Sequence, residues 1–273
     1  MKTLNLQSSQ LTAFYECPRK WYYQYYLWRG DQPSSAMLKG TCFHLLGELN
    51  LKDNVELTDL IDVVKDTRPE LAPYTTEAFM AYLRWLSAYE DSKYKLFDIE
   101  GKPSIEVEFQ LALSDDILFW GKFDQLRTDG NKTYIFDWKV TSAYLNDYFF
   151  RKFELSPQTF SYSFAAREFF PDMDGFFIDG VQIKDSKLDV QRRYFPLVPA
   201  LEEFISETTR IGEWILAHQH CEDYFEHRWT ACINKYNRKC CYADVCLASP
   251  HRREAILQSD LFVDIQPIYD FGD

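Results

Sequence analysis

The chain has 273 residues, 46% of them hydrophobic, and a formal net charge of −12. This length and composition exclude a collagen-like, low-complexity or wholly disordered protein, and no apolar run or apolar leader points to a membrane helix or a signal peptide. We therefore expect a soluble, cytoplasmic protein, and its acidic balance argues against binding duplex DNA or a membrane through bulk positive charge.

The first third of the sequence predicts helices. Ser8 or Ser9 can cap a short first helix, and Pro18 suits the first turn of a second one. A third helix begins at Ser35, and a fourth covers residues 75–89, where apolar side chains recur at helical spacing.

From residue 105 onward the apolar period changes from about 3.6 to 2. Three strand-like runs follow, SIEVEFQLAL, ILFWGKFDQLR and TYIFDWKV, and the turn TDGN joins the last two into a hairpin. A helix from Ser156, strands near 176–184 and 190–197, and a long helix over 200–219 complete the order. This order predicts an α/β fold with a mixed central sheet.

Two acidic residues lie on opposite arms of the hairpin. Asp124 and Asp137 face each other directly if the turn is centred on Gly130–Asn131. They lie one diagonal step apart if it is centred on Asp129–Gly130. Either register places both carboxylates on one face of the sheet.

Lys139 joins that face, because residues two apart in a strand project to the same side, whereas the side chain of Trp138 points away. Two carboxylates and an ammonium group in an apolar strand repel or cost desolvation energy unless something holds them together. Mg²⁺ or Mn²⁺ held by Asp124, Asp137 and the Trp138 carbonyl would do so, and Lys139 could orient an activated water. The alternative is a half-exposed hairpin with surface ion pairs.

Four short patterns occur in chain order around this hairpin. They are G-x-x-x-H at Gly40 to His44, G-x-x-D at Gly121 to Asp124, D-x-K at Asp137 to Lys139, and Q-x-x-x-Y at Gln158 to Tyr162. Each pattern is weak alone, but the ordered set resembles the PD-(D/E)XK nuclease superfamily. The resemblance is to its RecB-like branch, with CRISPR-associated and AddB-type exonucleases and phage relatives. It covers roughly residues 8–246 and implies a restriction-endonuclease-like core.

The resemblance also implies roles for individual residues. The metal ligands would be His44, Asp124, Asp137 and the carbonyl of Trp138. Lys139 would be catalytic together with the two aspartates, and Gln158 and Tyr162 would support the site or contact the DNA strand. Glu108 is near in sequence, but the alternation of SIEVEF places it on the solvent face.

Seven cysteines in a chain without an export signal favour metal binding or burial over disulfides. One upstream cysteine and three near the C-terminus match the arrangement that binds a 4Fe-4S cluster in the RecB-like branch: Cys17, Cys232, Cys240 and Cys246. Four thiolates also suit Zn²⁺, and Cys241 competes with Cys240 as a ligand. The cluster would join 1–34 to 221–250 around a nuclease core of 35–220, within a single domain over 1–273.

Positive charge is concentrated near these cysteines. Residues 17–30 and 227–240 contain seven cations and no acidic residue. Together they would form a basic surface for DNA phosphates, with aromatic residues that stack on exposed bases: Tyr22, Tyr23, Tyr26, Trp28 or Tyr236. For most of these side chains the alternative is packing in the core.

The combined pattern predicts a metal-dependent DNA exonuclease that acts on single strands or DNA ends, in a bacterial or phage-infected cell. The alternative is a nucleic-acid-binding or assembly subunit that works with a helicase, a recombinase or a CRISPR adaptation complex. The complete set of nuclease residues favours the first interpretation.

Overall fold

The computed structural model describes residues 3–184, 187–234 and 237–265. The chain divides into two compact units, of which the first comprises Met1–Gln32, Ala112–Phe119 and Ile205–Asp273 and the second Pro33–Leu111 and Trp120–Phe204. The single domain predicted from the sequence, with its division at 34 and 221, stays a prediction. Within the described residues, no helix has the length and apolar character needed to cross a membrane.

The secondary structure follows the predicted order. The helices are α1 (Ser8–Glu16), α2 (Pro18–Trp21), α3 (Ser35–Leu51), α4 (Leu60–Thr67), α5 (Thr75–Ala88), α6 (Asp147–Arg151), α7 (Pro157–Phe169), α8 (Glu202–His218), α9 (Ala243–Leu247) and α10 (Pro250–Leu257). The strands are β1 (Leu4–Leu6), β2 (Arg29–Asp31), β3 (Lys95–Leu96), β4 (Asp98–Ile99), β5 (Lys102–Pro103), β6 (Ile105–Ser114), β7 (Ile117–Thr128), β8 (Thr133–Thr141), β9 (Met173–Lys184), β10 (Lys187–Pro196) and β11 (Phe262–Asp264).

The second unit contains a mixed sheet in the order β7-β8-β9-β10, with β3 and β6 paired to β7. The β8–β9 pair is parallel, and the pairs on either side of it are antiparallel. Helices α3 and α5 cover one face through a core that includes Phe43, Trp85 and Trp138. On the opposite face, Tyr162 of α7 packs against Phe176 of β9. The predicted α/β fold with a mixed sheet flanked by helices is confirmed.

The hairpin between β7 and β8 adopts the first of the two predicted registers. Thr128 pairs with Thr133 and Gln125 with Phe136, which centres the turn on Gly130–Asn131. Gly130 has a φ of 92°, a left-handed conformation that favours glycine. In an antiparallel pair, the numbers of two paired residues always add up to the same sum. If the register continues by one residue beyond Gln125 and Phe136, Asp124 therefore lies opposite Asp137.

The first unit has its own aromatic core. The ring of Trp214 on α8 contacts Phe14 and Phe225, and Trp21 stacks on Phe225. Strand β1 pairs in parallel with residues 117–119, and β2 pairs with β11.

This core contains two of the aromatic residues that the sequence suggested for base stacking. Tyr22 and Tyr23 are buried, and Tyr23 donates a hydrogen bond to Glu222, so their packing alternative is the correct one. Tyr26 and Trp28 are half-buried. Tyr236 lies outside the described residues.

The predicted basic surface also has less unpaired positive charge than its sequence suggests. Arg19 and Arg29 are buried and form ion pairs with Glu222 and Asp264. Two further cations of the same segments are paired as well, half-buried Lys20 with Glu16 and exposed Lys239 with Asp244. Neither segment contains an acidic residue, but other parts of the fold supply them. Lys235 lies outside the described residues.

Candidate metal centre

The hairpin buries both predicted aspartates in the second unit. Asp124 is 8% and Asp137 is 1% exposed. The Oδ2 atom of Asp124 accepts a hydrogen bond from the backbone N–H of Trp138 at 2.7 Å. Lys139 Nζ lies 2.5 Å from Asp137 Oδ2, so the two carboxylates and the ammonium group share one face, as the strand period predicted.

Helix α3 brings His44 close to Asp124. Its Nδ1 atom lies 3.6 Å from Asp124 Oδ2 and 3.9 Å from Oε1 of Glu106. These three residues offer ligand atoms that all lie within 4.8 Å of one another. One imidazole and two carboxylates are ligands suited to a divalent cation of the Mg²⁺ or Mn²⁺ type.

Glu106 was not identified from the sequence. The alternation of SIEVEF predicts that Ile105 and Val107 point inward and that Glu106 points to solvent. The structure gives Glu106 a φ of 56° and a side chain that is 7% exposed, with an ion pair to Lys122. A left-handed residue interrupts the alternation of the strand, so the side chain turns toward His44. Glu108 is exposed, as predicted.

Helix α7 supplies the polar groups that hold Asp137. The Ser156 side chain caps the helix, and Pro157 occupies its first turn. Gln158 Nε2 and the Tyr162 hydroxyl, one helical turn apart, both donate to Asp137 Oδ1, at 2.9 and 2.5 Å. Burial and the Asp137 charge raise the pKa of Tyr162 well above its ordinary value, which keeps the hydroxyl protonated as a donor.

The charged groups of the site shift one another's pKa values. Burial raises the pKa of Asp124 to about 6, and the Asp137 carboxylate contributes to this increase. Burial would lower the pKa values of His44 and Lys139, but the neighbouring carboxylates outweigh it and raise both. A bound cation would favour the ionised carboxylates, since an opposite charge nearby stabilises the charged form.

The donor set of the site decides whether a metal fits. His44, Glu106 and Asp124 offer an imidazole nitrogen and carboxylate oxygens within 4.8 Å of one another, which are ligand types that Mg²⁺ or Mn²⁺ accepts. Asp137 adds a further buried carboxylate, whose Oδ2 atom forms an ion pair with Lys139. The residues present therefore fit a divalent metal.

Trp138 acts as the packing anchor beneath the site. Its indole is fully buried against Phe43 and Trp85, and its ring occupies the space beside Gly47 of α3. The side chain thus points away from the acidic face, as predicted. The proposed contact of its carbonyl with a metal stays a prediction.

The glycine of the G-x-x-D pattern has a packing role. A Cβ at Gly121 would lie 2.3 Å from the ring of Phe109, a distance that real side chains do not adopt. Strands β6 and β7 therefore approach closely three residues before Asp124.

The predicted cluster cysteines lie in the first unit. Cys17, Cys232, Cys240 and Cys246 all line a cavity of about 400 Å³, together with Cys241. Burial raises the pKa of Cys246, and the charges of the three other predicted ligands add to the effect. A hydrogen bond from Cys241 lowers the pKa of Cys240, whereas the pKa of Cys241 is raised.

Comparison with known proteins identifies a family. The sequence profile of the PD-(D/E)XK nuclease superfamily matches residues 6–247. No curated protein gives a significant match. The crystal structure of a provisionally named exonuclease from Eubacterium rectale is similar at 16% identity and a TM-score of 0.53, over 86% of this chain and 89% of that chain, which shows a shared fold. A second structure, of SSO0001, covers 64% of this chain and 84% of its own at 14% identity, with a TM-score of 0.28.

Proposed function

This chain belongs to the PD-(D/E)XK nuclease superfamily, and we propose on that basis that it is a metal-dependent DNA exonuclease of the RecB-like branch. Its substrates are single-stranded DNA or DNA ends, whose phosphodiester bonds it hydrolyses. The observation that carries the proposal is the group of His44, Glu106 and Asp124 beside the buried Asp137–Lys139 pair.

We assign the metal ligands as His44, Asp124, Asp137 and the Trp138 carbonyl, to which the geometry adds Glu106. Mg²⁺ or Mn²⁺ bound there would lower the pKa of a water molecule and neutralise charge on the scissile phosphate.

The remaining residues position the reacting groups and stabilise their charges. Lys139 presents an ammonium group at the acidic face, where it can donate to a phosphate oxygen or hold the attacking water. Gln158 and Tyr162 fix one oxygen of Asp137, so that the other oxygen stays directed at Lys139.

A degradation assay tests this function. Purified protein with Mg²⁺ or Mn²⁺ should degrade labelled single-stranded DNA and leave circular and end-blocked substrates intact. Lys139→Ala should abolish this activity, because the charge at the scissile phosphate is lost. Lys132→Ala, an exposed lysine in the turn of the same hairpin, is the matched control and should cleave like the wild type. Unchanged activity of Lys139→Ala would refute the proposal.

We further propose that Cys17, Cys232, Cys240 and Cys246 hold a structural 4Fe-4S cluster in the first unit. Their shared cavity supports this assignment, because it brings four thiol groups to one place in the fold. Such a cluster would join residues that are more than two hundred positions apart in the sequence. Zinc in place of iron is the outcome that would overturn the iron–sulfur assignment.

A further inference from the structure

The segment between β8 and α7 lies on the same face of the sheet as Lys139. Gly180 of β9 is the direct partner of Lys139, and directly paired residues in a sheet project to the same face. A Cβ at Gly180 would lie 2.8 Å from Leu145 Cδ2. It would also meet the rings of Phe149 and Phe150, both at 3.2 Å. These three buried side chains anchor residues 142–155, the anchored segment, beside Lys139.

The outer side of the anchored segment exposes large apolar groups. Tyr144 is 61% and Tyr148 is 62% exposed, and Leu155 is 79% exposed. The backbone that carries Tyr144 is fixed, because Gln182 Nε2 donates to the Ala143 carbonyl at 3.0 Å. Exposed aromatic side chains on a fixed backbone beside a catalytic face are typical of an interaction surface.

One lysine contacts the Tyr144 ring, and a second lies against buried rings of the anchored segment. Lys184 Nζ lies 4.9 Å from the centre of the Tyr144 ring. Lys152 Nζ lies 4.3 and 4.7 Å from the rings of Phe149 and Phe153, which places its charge at the end of the anchored segment.

The two acids of the same segment offset about half of the charge of the four cations at this surface, which are Arg151, Lys152, Lys184 and Arg193. Asp147 is paired with Arg193 at 2.5 Å, so its charge is already compensated. Glu154 is exposed, and the neighbouring Arg151 is a further exposed cation. The surface that borders the catalytic face is therefore positive and aromatic, in contrast to the net charge of −12 of the whole chain.

We propose that Tyr144 and Tyr148 stack on unpaired bases of the DNA strand that enters the site, while Lys152 and Lys184 neutralise its phosphates. The ligand is single-stranded DNA, because stacking requires base faces that a duplex keeps covered, and positive grooves with aromatic rings bind such strands without sequence preference. This inference rests on the proposed nuclease function and assigns the path of its substrate.

Binding in the absence of metal tests the inference separately from catalysis. Fluorescence anisotropy in EDTA would use a labelled oligothymidylate of about 12 nucleotides, within the usual site sizes of single-strand binders. Tyr144→Ala and Tyr148→Ala should each weaken binding by about 5- to 150-fold, the range that corresponds to about 1–3 kcal/mol per stacked base. Tyr144→Phe, which keeps the ring, should bind like the wild type. Phe169→Ala, an exposed ring at the end of α7, is the matched control.

An abasic oligonucleotide distinguishes stacking from a loss of fold. The wild type should bind the abasic oligonucleotide more weakly than the ordinary one. The variant that carries both Tyr144→Ala and Tyr148→Ala should bind the two oligonucleotides equally tightly. Lys152→Ala and Lys184→Ala should each reduce the salt dependence of binding by about one counterion.

Different results would refute the proposed nuclease function and the stacking inference. A folded wild type that binds the oligonucleotide but leaves DNA intact with Mn²⁺ would refute the nuclease. The stacking inference is overturned if the wild type does not bind single strands, or if the tyrosine variants bind them as tightly as the wild type.

Discussion

The carboxylate of Asp124 accepts the backbone N–H of Trp138 across the hairpin, at 2.7 Å. Regular pairing of β7 and β8 extends to Gln125 and Phe136, so this side chain satisfies an amide just beyond the ladder. The same Oδ2 atom lies 3.6 Å from His44 Nδ1. One carboxylate thus joins the strands and belongs to the candidate metal centre.

Substitutions of Asp124 should separate these two roles. We expect Asp124→Asn to abolish metal-dependent cleavage but to keep the fold, because an amide oxygen can still accept the Trp138 N–H. Asp124→Ala loses the acceptor as well and should lower the free energy of unfolding by about 1–3 kcal/mol relative to Asp124→Asn, the cost of an unsatisfied buried donor. Urea unfolding in EDTA measures the difference. Equal stability of the two variants would contradict a structural role for the hydrogen bond.

Glu106 offers a test of the metal centre with a control two residues away. Glu106→Gln should raise the Mn²⁺ concentration for half-maximal activity by about 10-fold or more, because even groups that only support the ligands of a metal typically contribute about 10–100-fold in affinity. Glu108→Gln, on the exposed side of the same strand, should leave that concentration unchanged. Isothermal titration with Mn²⁺ provides the same comparison without DNA. Identical metal affinities in the two variants would exclude Glu106 from the centre.

Iron content and colour test the cysteine assignment. Freshly purified protein should be brown and contain iron, and Cys240→Ser should lose both and unfold at a lower temperature. Cys241→Ser should keep them, because Cys240 and not Cys241 is the proposed ligand. Exposed Cys221 provides the control substitution Cys221→Ser. The reverse result would make Cys241 the ligand, and a colourless protein with stoichiometric zinc would refute the iron–sulfur cluster.

Features that depend on strand period were predictable from the sequence. Asp124, Asp137 and Lys139 share a face because side chains alternate between the two faces of a sheet, and this is true in either hairpin register. The sequence could not choose between the registers, since several turn lengths suit TDGN. The structure adds the contact of Gln158 with Asp137, which depends on how α7 packs on the sheet.

Features that depend on distant partners or local strain were not predictable. Glu106 reaches the site through a left-handed backbone conformation, which the alternation in SIEVEF does not reveal. The basic segment around Arg19 contains no acid of its own, but Glu222 lies beside it in the fold. An ion pair between residues about two hundred positions apart cannot be predicted from the charges near either residue in the sequence.

Two glycines of α3 should respond in opposite ways to alanine. A Cβ at Gly47 would lie 2.4 Å from the Trp138 ring, which the core holds in place, so Gly47→Ala should destabilise the fold by about 1–3 kcal/mol, typical of overpacking. At Gly40, the first residue of the G-x-x-x-H pattern, a Cβ would meet Val140 at an ordinary 3.7 Å. Gly40→Ala should therefore stabilise the helix by up to about 1 kcal/mol through its higher propensity. Thermal unfolding of both variants in EDTA makes the comparison, and a stable Gly47→Ala variant would show that Trp138 is free to shift.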